Sequence, residues 1–193
     1  MASLHYYYST MNAGKSAQLL QANHNYIERK MRTYLLKPAI DTREDKPVIR
    51  SRTGLEAECD LFNKEDNLFS IVSEYTGLNG NVDVVMIDES QFMTTEQIYQ
   101  LTDIVEKLGI PVLAYGLRSD FQGNLFPGSA ALFALADRFE EVRTICWCSR
   151  RATMVLRINE NGTIVREGDQ VQIGGNSSYV SVCREHFKLG KLG

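Results

Sequence analysis

The sequence predicts an α/β protein: a doubly wound, mostly parallel sheet followed by a small C-terminal β subdomain built around zinc. Three observations carry that prediction. Runs of strand formers alternate with helix-forming stretches as far as Thr144. A strand, a glycine-bearing turn and a helix follow one another near the N-terminus, with Gly14-Lys15-Ser16 at the turn. Cys146, at the end of the last expected core strand, and Cys148, Cys183 and His186 beyond it have the residue types of a tetrahedral metal site. The expected division is 1–144 for the α/β domain and 145–193 for the zinc subdomain.

The composition permits this. A chain of 193 residues, 44% hydrophobic and 23% charged, can bury one sizeable core with a small appendage. Its net charge of −3 lacks the footprint of a nucleic-acid or anionic-membrane binder, so neither partner is expected. No stretch has the length of a membrane span, and the N-terminus lacks a basic-then-apolar leader pattern. A cytoplasmic location is expected. In that compartment the four cysteines read as core residues or ligands rather than disulfides.

Taken in order, Leu4 to Tyr8 reads as the first strand and Ala17 to Ala22 as the start of the first helix. Between them, Ser9-Thr10-Met11-Asn12-Ala13-Gly14-Lys15-Ser16 has the setting of a phosphate-binding loop. Backbone N–H groups and the positive helix end converge on a polyphosphate there. Lys15 is expected on the β/γ phosphates of a nucleotide, and the Ser16 hydroxyl on Mg²⁺. Thr33 to Lys37 reads as a second strand, ended by Pro38. The segment from Glu44 to Asp66 lacks periodicity. It reads either as a solvated connection or, through Arg43, Arg50 and Arg52, as a loop beside phosphates. Leu68 to Tyr75 is expected to be a short helix.

Val84 to Ile87 is continuously apolar, as a strand covered on both faces should be, and it ends in Asp88-Glu89. Carboxylates at the C-terminal end of such a strand stand where open α/β sheets put functional groups. Asp88 is the natural Mg²⁺ partner of Ser16, and Glu89 a base for an attacking hydroxyl or water. Thr94-Thr95-Glu96-Gln97 reads as a capped helix start, with Gly109 as its stop. Ile110 to Gly116 is a further buried strand. The loop from Leu117 to Pro127 carries Phe121 and Phe126, which read either as pins into the core or as a wall for a flat ring. Ser129 to Phe139 is expected as helix and Val142 to Cys146 as the last core strand.

In the tail, Met154 to Ile158 and Thr163 to Arg166 flank Asn161-Gly162, a hairpin signal. Side chains two apart on an extended chain share a face, so Cys146 and Cys148 can address one ion, completed by Cys183 and His186. Cys59 reads as packing, and His5 and His24 as structural or exposed. Val171 to Tyr179, with Gly174-Gly175, reads on residue types as an ordinary hairpin loop.

Together these motifs resemble the type II thymidine kinase family, which includes the human cytosolic enzyme and many bacterial ones. The resemblance spans nearly the whole chain: Met-x-x-Gly-Lys-Ser at 11–16, Asp41-Thr42-Arg43, Asp88-Glu89-x-Gln91-Phe92, the Phe121 loop, and the zinc tail with Ile173-Gly174-Gly175. It implies a RecA-like core and ATP- and Mg²⁺-dependent phosphorylation of the thymidine 5′-hydroxyl, with deoxyuridine as a further acceptor, in nucleotide salvage. By resemblance Glu89 is the general base. Arg43, Asp88 and Gln91 join residues 9–16 around ATP. Met11, Phe92, Leu117, Phe121, Phe126 and Tyr179 line the nucleoside pocket, and Gln172, Ile173, Gly174 and Gly175 form a lasso around thymine. The zinc is structural, the assembly a homotetramer, and dTTP a feedback inhibitor. Two positions depart from the family pattern. Ser9 replaces a glycine, and His186 replaces a fourth cysteine found in some members. An ATPase motor with a zinc ribbon and a nucleotide sensor without chemistry are the other classes; the first calls for a basic surface that a net charge of −3 does not supply.

Overall fold

The computed structural model describes residues 1–41, 46–170 and 178–193. Its frame is a six-stranded parallel sheet. The strands are β1 (Leu4–Ser9), β2 (Thr33–Pro38), β5 (Asp60–Phe62), β6 (Val84–Ile87), β7 (Val112–Leu117) and β8 (Arg138–Glu141), in the order β5-β2-β6-β7-β1-β8. This is the RecA-like, doubly wound arrangement expected. The strand leading into the expected phosphate loop, β1, is separated from the acid-bearing β6 by β7, and all three run parallel, so both strand ends open toward the same edge of the sheet.

Alternation along the strands explains the two covered faces. Leu4, Tyr6, Leu36, Val85, Ile87 and Val112 point to one side. There they pack on α2 (Leu68–Asn79), α3 (Thr95–Asp103) and α4 (Pro127–Leu135) through Leu68, Val72, Ile98, Leu101 and Leu132. Leu35, Val84, Met86, Leu113 and Tyr115 point to the other side and meet Leu19 and Leu20 of α1 (Lys15–Glu28). Ile49 and Cys59, from the segment around the hairpin of β3 (Val48–Arg50) and β4 (Glu56–Glu58), complete that side. Burying each such aliphatic side chain contributes about 1.5–3 kcal/mol, and this drives the strands to be covered on both faces. The expected capping box at α3 is present: Thr94 Oγ1 accepts from the Gln97 N–H, and Gln97 Oε1 accepts from the Thr94 N–H. A π-helical turn, Ile104–Leu108, continues α3 as far as Gly109, whose φ is 67°.

Two stretches differ from expectation. The fourth helix occupies 127–135 rather than 129–139, because Pro127 starts it and Ala136 is already extended. The last core strand is consequently Arg138–Glu141 and not Val142–Cys146. It pairs with β1 at the sheet edge, where charged side chains remain in water, and so it lacks the apolar run of an interior strand. Within 44–66, the described residues form the β3–β4 hairpin and edge strand β5 instead of an unstructured connection.

The tail is a separate small β unit. A short pair, β9 (Thr144–Ile145) and β10 (Arg151–Ala152), lies beside a sheet of β11 (Met154–Ile158), β12 (Ile164–Val165) and β13 (Tyr179–Val182) in the order β12-β11-β13. The last helix, α5 (Arg184–Leu189), follows. The β11–β12 hairpin turns at Asn161-Gly162 as expected, with Gly162 at φ 76°. Among the described residues, the core of this unit is Cys146, Ala152, Leu156, Val182, Cys183 and their partly buried neighbours.

Candidate active site and metal centre

The candidate phosphate loop begins where β1 ends. Ser9 is still in the strand and is not among the residues of positive φ, so a side chain there costs the loop nothing. The left-handed positions are Asn12 (φ 62°) and Gly14 (φ 88°). Gly14 is required by its backbone rather than by crowding, since a Cβ there would meet nothing within 4 Å. It stands immediately before α1, whose first residues, Lys15 to Ala17, line the cleft, and the positive end of a helix dipole favours an anion there. Lys15 is buried. It donates to Ser9 Oγ (3.0 Å) and to the Thr10 carbonyl (3.2 Å).

Across the sheet edge, Ser16 Oγ donates to Asp88 Oδ2 at 2.8 Å, joining the loop to the end of β6. Burial pushes the Asp88 carboxyl up to about 6, and the charge of Glu89 adds to the push. The Ser16 hydroxyl and Lys15 pull the other way. A hydroxyl and a carboxylate side by side are hard oxygen donors that fit magnesium. A cation here would offset the repulsion of the two acids. Glu89 follows at φ 53°, ψ 37°, heading a 3₁₀ turn, Ser90–Phe92. A left-handed backbone at a non-glycine residue costs about 1–3 kcal/mol and recurs at functional sites. The Glu89 carboxylate accepts from Gln91 Nε2 at 2.6 Å.

One cleft of about 600 Å³ connects these groups, a size suited to small ligands. Met11 to Ser16, Asp88, Glu89 and Gln91 line one part, and Phe92, Leu117, Phe121, Phe126 and Tyr179 another. Phe121 and Phe126 satisfy both readings of their loop: they are buried, yet they line the cleft. Phe92 meets Phe126 edge-to-face at 6.0 Å, and the Arg157 guanidinium lies 5.0 Å from the centre of the Phe121 ring. Of the expected site residues, Ser9 and Thr10 lie behind the loop and act on Lys15 instead of lining the cleft. Arg43, Gln172, Ile173, Gly174 and Gly175 lie outside the described residues.

Sequence reasoning missed several cleft residues. Ser51 and Thr53 stand with Arg50 and Arg52 at the tip of the β3–β4 hairpin, all four on the cleft wall. That favours the phosphate-side reading of this segment. Lys37 ties the hairpin down by donating to the Val48 carbonyl (3.1 Å), while its ammonium lies 3.3 Å from Asp41 in a buried pair. Asp120 accepts from the N–H groups of Gln122 and Asn124 and from Gln170 Nε2 (2.9 Å), which anchors the cleft rim. No periodicity marks such residues; only the DTR motif and the arginines hinted at them.

The four metal-ligand candidates converge, with all ligand atoms within 4.8 Å of one another. Cys146 Sγ and Cys183 Sγ lie 3.3 and 3.5 Å from His186 Nδ1, and Cys148 Sγ lies 3.9 Å from Cys183 Sγ. Zinc bond lengths on a tetrahedron require about 3.6 Å between sulfur and nitrogen and about 3.8 Å between sulfurs. The cluster therefore fits a Cys₃His zinc site. Burial opposes ionisation of the Cys146 thiol, yet backbone N–H groups and His186 bring it down to about 6, toward the thiolate that metal requires. The first two cysteines converge for a reason other than the one expected. Cys146 to Ser149 is a turn, closed by Ser149 N–H to the Cys146 carbonyl (2.9 Å) with Ser149 left-handed at φ 67°, not an extended strand. Cys183 caps α5, and His186 lies one helical turn on with Trp147 stacked against its ring.

Comparison with known proteins returns a single family. The thymidine kinase family model matches residues 2–187. A thymidine kinase of Ruegeria pomeroyi is 56% identical over 188 residues, covering 97% of this chain and 94% of that protein. One from Legionella pneumophila (strain Lens) is 54% identical over 193 residues, covering 100% and 92%. One from Haemophilus influenzae is 52% identical over 188 residues, covering 97% of each.

Proposed function

The chain belongs to the thymidine kinase family, and from that premise we propose that it phosphorylates the 5′-hydroxyl of thymidine with ATP, in nucleotide salvage. One observation carries the reading: the phosphate loop, the Asp88-Glu89 pair and the aromatic wall line a single cleft. ATP phosphates lie along Met11 to Ser16, with Ser9 and Thr10 holding Lys15 from behind, Lys15 on the β/γ oxygens and Arg43 near the transferred group. Magnesium, bound with ATP, neutralises phosphate charge, and Ser16 and Asp88 are the residues that would hold it. Thymidine lies against Met11, Phe92, Leu117, Phe121, Phe126 and Tyr179, enclosed by Gln172, Ile173, Gly174 and Gly175. Its 5′-oxygen attacks the γ-phosphorus, Glu89 takes the hydroxyl proton, and ADP leaves. Deoxyuridine, which lacks only a methyl group, is accepted as well.

The finer parts of the proposal rest on separate supports. Cys146, Cys148, Cys183 and His186 hold a structural zinc, supported by their spacing. Two units, 1–144 and 145–193, are supported by the independent core under that cluster. Inhibition by dTTP is supported by a cleft that serves both phosphates and nucleoside, so one molecule can occupy both parts. Homotetramer formation has apolar surface available at Phe139, Ile145 and Trp147, which are 49%, 74% and 51% exposed. No described helix is long and apolar enough to cross a membrane, and we take the enzyme to act in the cytoplasm without nucleic acid. The test is an incubation of protein, magnesium and ATP with and without thymidine, following ADP and nucleoside monophosphate together. Equal amounts of both, formed only with thymidine, are expected. ADP release independent of thymidine would make the protein an ATPase.

A further inference from the structure

Gln91 is 1% exposed, although it borders the cleft. Its carbonyl Oε1 accepts from the backbone N–H of Leu117 at 3.0 Å. A backbone N–H can only donate, so the amide has one permitted orientation, and Nε2 must face the other way. There it meets Glu89 Oε2 at 2.6 Å. Both ends of the amide are thereby engaged within the protein. One is fixed to β7, and the other grips the acid at the end of β6.

The surroundings are shaped to keep that grip. Glu89 has the left-handed backbone, and its N–H donates to Asp88 Oδ1 at 3.0 Å. The 3₁₀ turn behind it is wedged between two glycines. A Cβ on Gly116 of β7 would stand 2.4 Å from Ser90 Oγ and 3.0 Å from both Gln91 N and Oε1. A Cβ on Gly128 of α4 would stand 2.7–2.9 Å from the carbonyl oxygens of Ser90, Gln91 and Met93. Backbone on one side and an amide on the other thus leave the Glu89 carboxylate little freedom. A freely rotating glutamate would sample several rotamers, most of them useless to an attacking hydroxyl.

We propose that Gln91 is a positioning residue, which aims the Glu89 carboxylate at the acceptor hydroxyl and acts on the reaction through Glu89, not by touching the nucleotide. The proposal rests on Glu89 being the base. It differs from a nucleotide-contact role in what its loss should change. Removing a contact to ATP weakens ATP binding, whereas misaiming a base lowers turnover and leaves binding alone. A displacement of about 1 Å at a reacting group can cost on the order of 10²-fold in rate.

The experiment is a double-mutant cycle of Gln91→Met and Glu89→Gln on the full chain. It reads kcat, both KM values, and the Kd of a non-hydrolysable ATP analogue. Gln91→Met alone should lower kcat about 10–100-fold, with the analogue Kd and thymidine KM within about threefold of the parent. Added to Glu89→Gln, it should lower kcat no further, because residues acting through one group are not additive. Gln91→Asn keeps the amide but is one methylene too short to hold Leu117 and Glu89 together; it carries the same expectations if the methionine variant is too unstable to assay. Additive losses in kcat, or an analogue affinity that falls in step with kcat, would overturn the positioning role while Glu89 remains the base. Near-normal turnover in Glu89→Gln alone would overturn the base assignment and this proposal with it.

Discussion

Ser90 Oγ is fully buried beside Glu89 and has no hydrogen-bond partner among the described residues. An unpaired buried hydroxyl costs about 1–3 kcal/mol, and deleting it leaves a void smaller than a methyl group. Ser90→Ala should therefore leave the midpoint of thermal or urea unfolding unchanged or raise it. A fall of more than about 1 kcal/mol would mean that the hydroxyl has a partner after all. At this scale the sequence was uneven as a guide. Glu89 was legible as a second acid at a strand end, and Ser16 and Asp88 as neighbours, because strand order puts both at one sheet edge. The left-handed angles of Glu89 and the grip of Gln91 were not. Both depend on how closely β7 approaches the turn, and nothing in residues 88–92 reports that distance.

The two glycines that clamp the 3₁₀ turn belong to different elements and should differ in a measurable way. The nearest atom to a Cβ at Gly116 is a side-chain hydroxyl, which a mutation can remove. At Gly128 the three nearest atoms are backbone carbonyl oxygens, which no side-chain change can move. Overpacking of this kind costs about 1–3 kcal/mol. Gly128→Ala should destabilise more than Gly116→Ala, and adding Ser90→Ala should recover part of the Gly116→Ala loss and none of the Gly128→Ala loss. Equal recovery at both sites, by unfolding midpoint, would contradict the clamp. Elements buried on both faces, such as β6 and β7, were legible because burial leaves a continuous apolar run. Edge strand β8 and the three-residue strands β3, β4 and β5 were not, since edge positions stay charged and three residues are too few to show a period. The Cys146–Cys148 turn was misread for a related reason: Cys-x-Cys gives the same separation on a strand and on a turn closed by a left-handed Ser149.

For the whole molecule, the C-terminal β strands and the parallel sheet meet at the cleft. Strand β13 contributes Tyr179 to the cleft wall, and Ser181 Oγ on the same strand donates to the Met11 carbonyl of the phosphate loop at 2.6 Å. Cys183 follows that strand directly. With zinc on Cys146, Cys148, Cys183 and His186, as proposed, a part with so little core would draw folding energy from the metal. Cys183→Ser should thus release zinc and raise the thymidine KM strongly, with a smaller weakening of ATP-analogue binding through Ser181. Metal analysis of the parent should find about one zinc per chain. Metal-free parent protein, purified without chelator, that retains a normal thymidine KM would contradict this. The hydrogen bond joining β13 to the Met11 loop was not legible in the sequence, because Ser181 is an unremarkable serine in a short strand. The account as a whole stands on Glu89 taking a proton from bound thymidine, and single-turnover transfer of label from γ-labelled ATP to thymidine tests that most directly. Parent and Glu89→Gln should bind thymidine alike. The parent should move label into the nucleoside monophosphate, and the variant should do so about 10²–10⁴ times more slowly, the usual contribution of a positioned base. Transfer at the parental rate by a variant that still binds thymidine would contradict it.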